Sequence, residues 1–199
     1  NIFSTNCNMK LWKIVITICI CWLPFIIAFL PATFGHDSFT MLNGWSGEKT
    51  WTTHHPIIAS ALLGLIMDFG LMMGSANIGA FFCMLIQTGL LLAAFCYLIQ
   101  YIKRLKFGNI AVLVVVCYYA LCPVWVDYAT HVVKDSVNLV FCILYTVCYI
   151  EILNDTTWIN KRKNLILFFI AIAGVCVFRN TGFYLILLTS IPCGIYLLY

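Results

Sequence analysis

Apolar residues in this chain fall into long runs separated by short polar intervals, and the run lengths predict the elements. Residues 11–30 form a run of 20, which at about 1.5 Å per residue reaches across the roughly 30 Å hydrocarbon core of a bilayer as one helix. Pro24 lies inside this run and predicts a kink, because proline removes a backbone donor and crowds the preceding turn. Residues 76–102 predict a second span, long enough that it must tilt or protrude. Residues 109–126 predict a third, with Pro123 disturbing its last turns, and residues 136–153 a fourth. Beyond a polar stretch at 154–164, Leu165–Phe178 and Phe183–Tyr199 predict two more apolar helices, on either side of Arg179-Asn180-Thr181-Gly182. The predicted fold class is all-α, a polytopic transmembrane helix bundle.

Two intervals need a further argument. Residues 31–56 are the longest polar interval and predict a surface loop after the first span. The next stretch, 57–75, is apolar enough to cross, apart from Asp68. Here charge placement decides. Lys and Arg cluster at Lys10/Lys13, Lys103/Arg104/Lys106 and Lys161/Arg162/Lys163, and such residues collect on the cytoplasmic side of a membrane. If 57–75 crossed, the second and third clusters would lie outside. If it lies along the outer interface, all three lie inside. Asp68 agrees, since a carboxylate is cheaper at an interface than at the bilayer centre. The expectation is therefore a cytoplasmic N-terminus, an outward-facing 31–56 loop, and an outer-face interfacial helix over 56–69, with Gly70 and Gly74 around its end.

Composition fixes the class. Charged residues are 9% and hydrophobic residues 63%, against roughly 25% charged in a soluble domain, which excludes a soluble protein. The basic runs are short and flank apolar segments, so topology accounts for them and no nucleic-acid partner is implied. Most of the eleven cysteines sit inside apolar runs, where a thiol behaves as a small hydrophobe, and no CxxC occurs. Neither a disulfide framework nor a zinc site is indicated. The first apolar run lacks a small-residue cleavage site and reads as an uncleaved anchor. The chain starts without Met and stops inside an apolar run, so residues 1–199 are expected to be a single transmembrane domain, the N-terminal part of a longer module.

Candidate chemistry concentrates in the intervals expected outside. Asp127, His131 and Asp135 are spaced i, i+4, i+8, with Lys134 beside them; on one helix they form a polar stripe. The plainer reading is a helix start, with Asp favoured by the macrodipole and Lys reaching toward headgroups. Asp37 is either a turn residue in Gly35-His36-Asp37-Ser38 or the acid of an active site. His54 and His55 diverge by about 100° on a helix, so one of the pair is expected to face the site. Asp37, His54 and Asp135 are also a candidate ligand set for a divalent metal. Arg179, between two apolar runs, calls for an anionic partner.

These residues carry a resemblance. Asp37 after the first span, His55-Pro56 opening an interfacial helix, Lys134-Asp135 before the fourth span and Arg179-Asn180-Thr181-Gly182 together resemble the N-terminal part of GT-C membrane glycosyltransferases, in the branch of the protein O-mannosyltransferases and aminoarabinose transferases. The sequence departs from that pattern in two places: His36 precedes a single acid where many members carry an acid pair, and His55-Pro56 stands where many carry Pro-Pro. The resemblance implies a multi-pass protein of the bacterial plasma membrane, a polyprenyl-phosphate-linked sugar donor, and a lipid, glycan or protein acceptor. It implies Asp37 as the base for the acceptor. Lys134, Arg179 and His131 would stabilise the donor phosphate, supported by His54, His55, Asp135 and Asp127. The alternative is a transporter or channel with an outer polar vestibule, which predicts ionisable groups near the bilayer midplane.

Overall fold

The computed structural model describes residues 9–51 and 55–198. Among them the fold is mainly helical: α1 (Leu11–Ala28), α2 (His36–Trp45), α3 (Ile57–Met72), α4 (Ala76–Arg104), α5 (Asn109–Leu121), α6 (Pro123–Thr130), α7 (Lys134–Asn154), a 3-10 turn (Thr156–Asn160), α8 (Arg162–Phe178) and α9 (Gly182–Leu198). Two residue pairs, β1 (Thr33–Phe34) and β2 (His131–Val132), form a minimal parallel ladder. Helices α1, α4 and α7 are long and apolar enough to cross a membrane. The pair α5 and α6 makes a fourth span if its 51° bend is one broken crossing. Helix α3, with 16 residues, reaches about 24 Å, short of a roughly 30 Å core.

Backbone contacts divide the chain into two compact units, Asn1–Gly35 with Ile66–Val133, and His36–Leu65 with Lys134–Tyr199. In the first, Trp22 and Phe95 are fully buried and meet edge to face at 6.1 Å. The Trp22 indole N–H donates to the Tyr119 carbonyl at 3.0 Å, and Phe95 stacks on the Tyr119 ring at 4.1 Å. Gln87, buried inside an apolar helix, uses its amide on carbonyls at the end of α6 and in β2 beyond it: it donates to Tyr128 and His131, both at 2.7 Å. Thr88 adds a bond to Ala129 at 3.0 Å. Carbonyls that the helix end leaves open are thereby satisfied away from water.

The second unit is organised by α7 against α8 and α9. Its core holds Tyr145, Ala171 and Val175. A Cβ on Gly174 would fall 2.1 Å from the Phe141 ring, so the missing side chain is what lets α8 take that ring. Tyr145 and Thr189 share a hydroxyl hydrogen bond of 2.6 Å, and Tyr149 donates to the Thr189 carbonyl at 2.9 Å. Trp45 lies over Gly64 of α3, where a Cβ would be 2.3 Å from the indole.

Several expectations are corrected. The 31–56 interval is not all loop: α2 occupies its middle, and the face it buries is Ser38, Met41 and Gly44, too small and polar to register as an apolar stripe. The third span is disturbed at Pro123 as expected, by a break at Cys122, but its second piece runs past 126 to Thr130. Asp127, His131 and Asp135 do not form one stripe. Asp127 is on α6, His131 is extended in β2 and Asp135 is in the first turn of α7. The 154–164 stretch holds a 3-10 turn capped by Asp155, whose carboxylate accepts from the Thr157 N–H at 3.0 Å and hydroxyl at 2.7 Å.

Candidate functional site

The site lies in the second unit and begins with a lysine. Lys134 opens α7, and its side chain is only 8% exposed. A lone ammonium so placed would be strongly unfavourable. Here Nζ donates to Asp37 Oδ2 at 2.9 Å and lies 2.7 Å from His55 Nδ1. Asp37 is in the first turn of α2, where exposed N–H groups and the positive end of the helix dipole favour a carboxylate. His55 is buried and precedes Pro56, whose carbonyl accepts the first backbone bond of α3, from Ser60, at 3.1 Å. Three separate stretches of sequence thus meet at one nitrogen.

Beside this cluster is a cavity of about 190 Å³ lined by Asp37, Lys134, Asp135, Arg179, Asn180 and Thr181. Pockets for drug-sized ligands run roughly 300–1,000 Å³, so this one suits a small polar group such as a phosphate or a sugar ring. Arg179 terminates α8, half exposed, with Nε 3.7 Å from Asp135 Oδ1. That is an ion pair but longer than a hydrogen bond, and among the described residues Asp135 Oδ1 is buried without a hydrogen-bond partner. A guanidinium carries five N–H donors, so Arg179 retains capacity for an anion. Gly182 fixes the turn after it: a Cβ there would meet the Val175 carbonyl at 2.1 Å, and its N–H donates to the Arg179 carbonyl at 2.8 Å.

The structure therefore gathers Asp37, His55, Lys134, Asp135 and Arg179. It does not place Asp127 or His131 among the cavity's lining residues. Asp127 is exposed on α6, while His131 packs its ring against Gly35 within the first unit. His54 lies outside the described residues. Among the described residues, no three metal-ligating side chains gather into a cation site. Sequence reasoning did not single out Asn180 and Thr181 individually, although the polar break between two apolar runs marked the turn that carries them.

Residues 45–195 match the model of a family of unknown function, DUF6020. The matched span takes in His55, Lys134, Asp135 and Arg179 and starts after Asp37. No curated protein and no solved structure matches the chain.

Proposed function

The chain belongs to the DUF6020 family, and we propose that its clustered site transfers a glycosyl group from a polyprenyl-phosphate-linked donor to an acceptor at the outer face of the membrane. The observation that carries this reading is Lys134, buried and shared between Asp37 and His55 on the wall of a cavity that Arg179 also lines. In this reading the acceptor hydroxyl attacks the anomeric carbon and gives its proton to Asp37, whose side chain is 43% exposed. The bond from that carbon to the phosphate oxygen breaks, and the lipid phosphate leaves with the electron pair. Protonation of Asp37 cancels its charge, and the Lys134 ammonium then turns to the phosphate as charge develops there. Arg179 supplies a second cation with a planar fork of donors suited to phosphate. The proton leaves Asp37 to solvent after product release.

A transporter draws support from one feature, the break between α5 and α6, because transporters build sites from discontinuous helices. The ionisable groups of the cavity come instead from two helix starts and the α8–α9 turn. The deciding experiment offers the full-length protein in proteoliposomes a panel of polyprenyl-phosphate hexoses and pentoses radiolabelled in the sugar. Transfer splits label from the lipid phosphate and depends on Asp37. A transporter moves label with the sugar–phosphate bond intact, and that outcome overturns the proposal.

A further inference from the structure

Topology accounts for the side on which basic residues collect, but not for what they hold there. In the first unit two of the basic clusters come together. Lys103, in the last turn of α4, donates from Nζ to the Met9 carbonyl just before α1, across 94 residues of sequence. Lys10 and Lys13 are one turn apart at the start of α1, joined by a backbone bond of 3.0 Å. Lys103 and Lys106 are one turn apart at the end of α4, joined by one of 3.2 Å. We propose that these four lysines form a docking surface for anionic phospholipid headgroups, which brace the start of α1 against the end of α4. The surface lies wholly within the first unit and is independent of any glycosyl transfer.

Nothing within the unit offsets this charge. Its carboxylates are Asp68 and Asp127, and both belong toward the other end of α4. Gly70, two residues after Asp68, packs on Gly79, and Gln87 bonds to Tyr128, the neighbour of Asp127. At about 1.5 Å per residue, Gln87 is roughly 24 Å of helix from Lys103, well beyond the roughly 8 Å over which salt screens a charge. Among the described residues none of the four lysines pairs with a carboxylate, and residues 1–8 contain no acid. Helix α1 has no acid in its first turn, so Lys10 and Lys13 add to the positive end of its dipole. The countercharge is left to the surroundings.

The residues between the lysines identify its source. Leu11, Trp12, Leu105 and Phe107 are exposed and alternate with the cations. The Lys13 ammonium lies 5.6 Å from the centre of the Trp12 ring. A soluble anion would leave those apolar side chains in water. A membrane surface takes them into its acyl boundary while the lysines extend to the phosphates. Lys106 adds a backbone argument. Its φ is 57°, at the position after the α4 C-cap where glycine is the usual residue and a Cβ is disfavoured. The turn gives no reason for a lysine there, and the ammonium does.

The test uses the full-length protein in nonionic detergent micelles doped with phosphatidylglycerol, or with phosphatidylcholine of the same acyl chains. Thermal unfolding reads the lipid-dependent rise in Tm, and its dependence on lipid concentration gives an apparent affinity. Phosphatidylglycerol should raise Tm where phosphatidylcholine does not, and added salt should shrink the rise. Lys10→Gln and Lys106→Gln should each weaken the apparent affinity about fivefold, the effect of losing one lysine at an anionic surface. Lys163→Gln, an equal loss of charge in the first turn of α8, should leave it unchanged. Lys106→Gly suits the backbone and should melt no lower than wild type without phosphatidylglycerol, yet lose affinity as Lys106→Gln does. A rise in Tm that phosphatidylcholine matches, or that glycerol phosphate in solution reproduces, overturns the proposal. So does an equal loss of affinity in Lys163→Gln, or a Lys106→Gly protein with the wild-type response to phosphatidylglycerol.

Discussion

Lys134 shows how one side chain sets the character of a site. Its burial makes the ammonium dependent on Asp37 and His55, and its Nζ gives those two distant stretches a common point. Asp37→Asn preserves size and a hydrogen-bonding oxygen but removes the base. It is expected to lower transfer about 10²–10⁴-fold with insertion and helix content unchanged, as read from turnover and circular dichroism. Near-normal turnover in that variant would remove Asp37 from the chemistry. Arg179 plays a different part, since it is half exposed and holds Asp135 only loosely. Arg179→Lys keeps the charge and loses the fork, so a fall in kcat/KM of about tenfold or more, measured against donor concentration, is the expected outcome.

Between elements, the second unit depends on close approaches that a methyl group would block. Trp45 lies on Gly64, tying α2, which carries Asp37, to α3. Gly64→Leu should displace the indole and cost about 1–3 kcal/mol by overpacking, seen as a lower Tm in detergent. Gly89→Ala on α4 is the matched control, because nothing lies within 4 Å of its Cβ position and the change favours helix. At the other end of α7, the Asp155 carboxyl is held below its ordinary range by the Thr157 hydroxyl and then by the Thr157 backbone N–H. A depressed carboxyl contributes stability above its unfolded pKa and loses it as pH falls through the folded value. Protection of the Thr157 N–H, read as the ratio of intrinsic to observed hydrogen exchange, should therefore fall as the Asp155 carboxyl is protonated in acid, and in Asp155→Ala it should be low already at neutral pH.

For the whole molecule, the consequential variable is which segments cross. Helix α3 is apolar yet only 16 residues long, and the three basic clusters favour laying it along the outer interface. Cysteines introduced singly at Lys49 and Asp68 are expected to react with a membrane-impermeant maleimide from one side, and cysteines at Lys106 and Lys161 from the other. Labelling of position 106 from the same side as position 49 would sink this arrangement.

Run length and charge were enough to read the spans: α1, α4 and α7 begin and end within about two residues of their predicted bounds, because an 18-residue apolar helix has few other places to go. The Lys134-Asp135 pair at a helix start and the polar break at Arg179 were legible for the same reason, since charges between apolar runs must sit at element ends. Helix α2 was not legible, because its buried face of Ser38, Met41 and Gly44 presents no apolar period. Nor was the loss of His131 and Asp127 from the site, since a spacing of four means proximity only while the helix continues, and this one ends at Thr130. The choice of Lys134 as the shared partner of Asp37 and His55 was likewise invisible in the chain. It joins positions 97 and 79 residues apart, and only packing that buries an ammonium decides which acceptors must come to it.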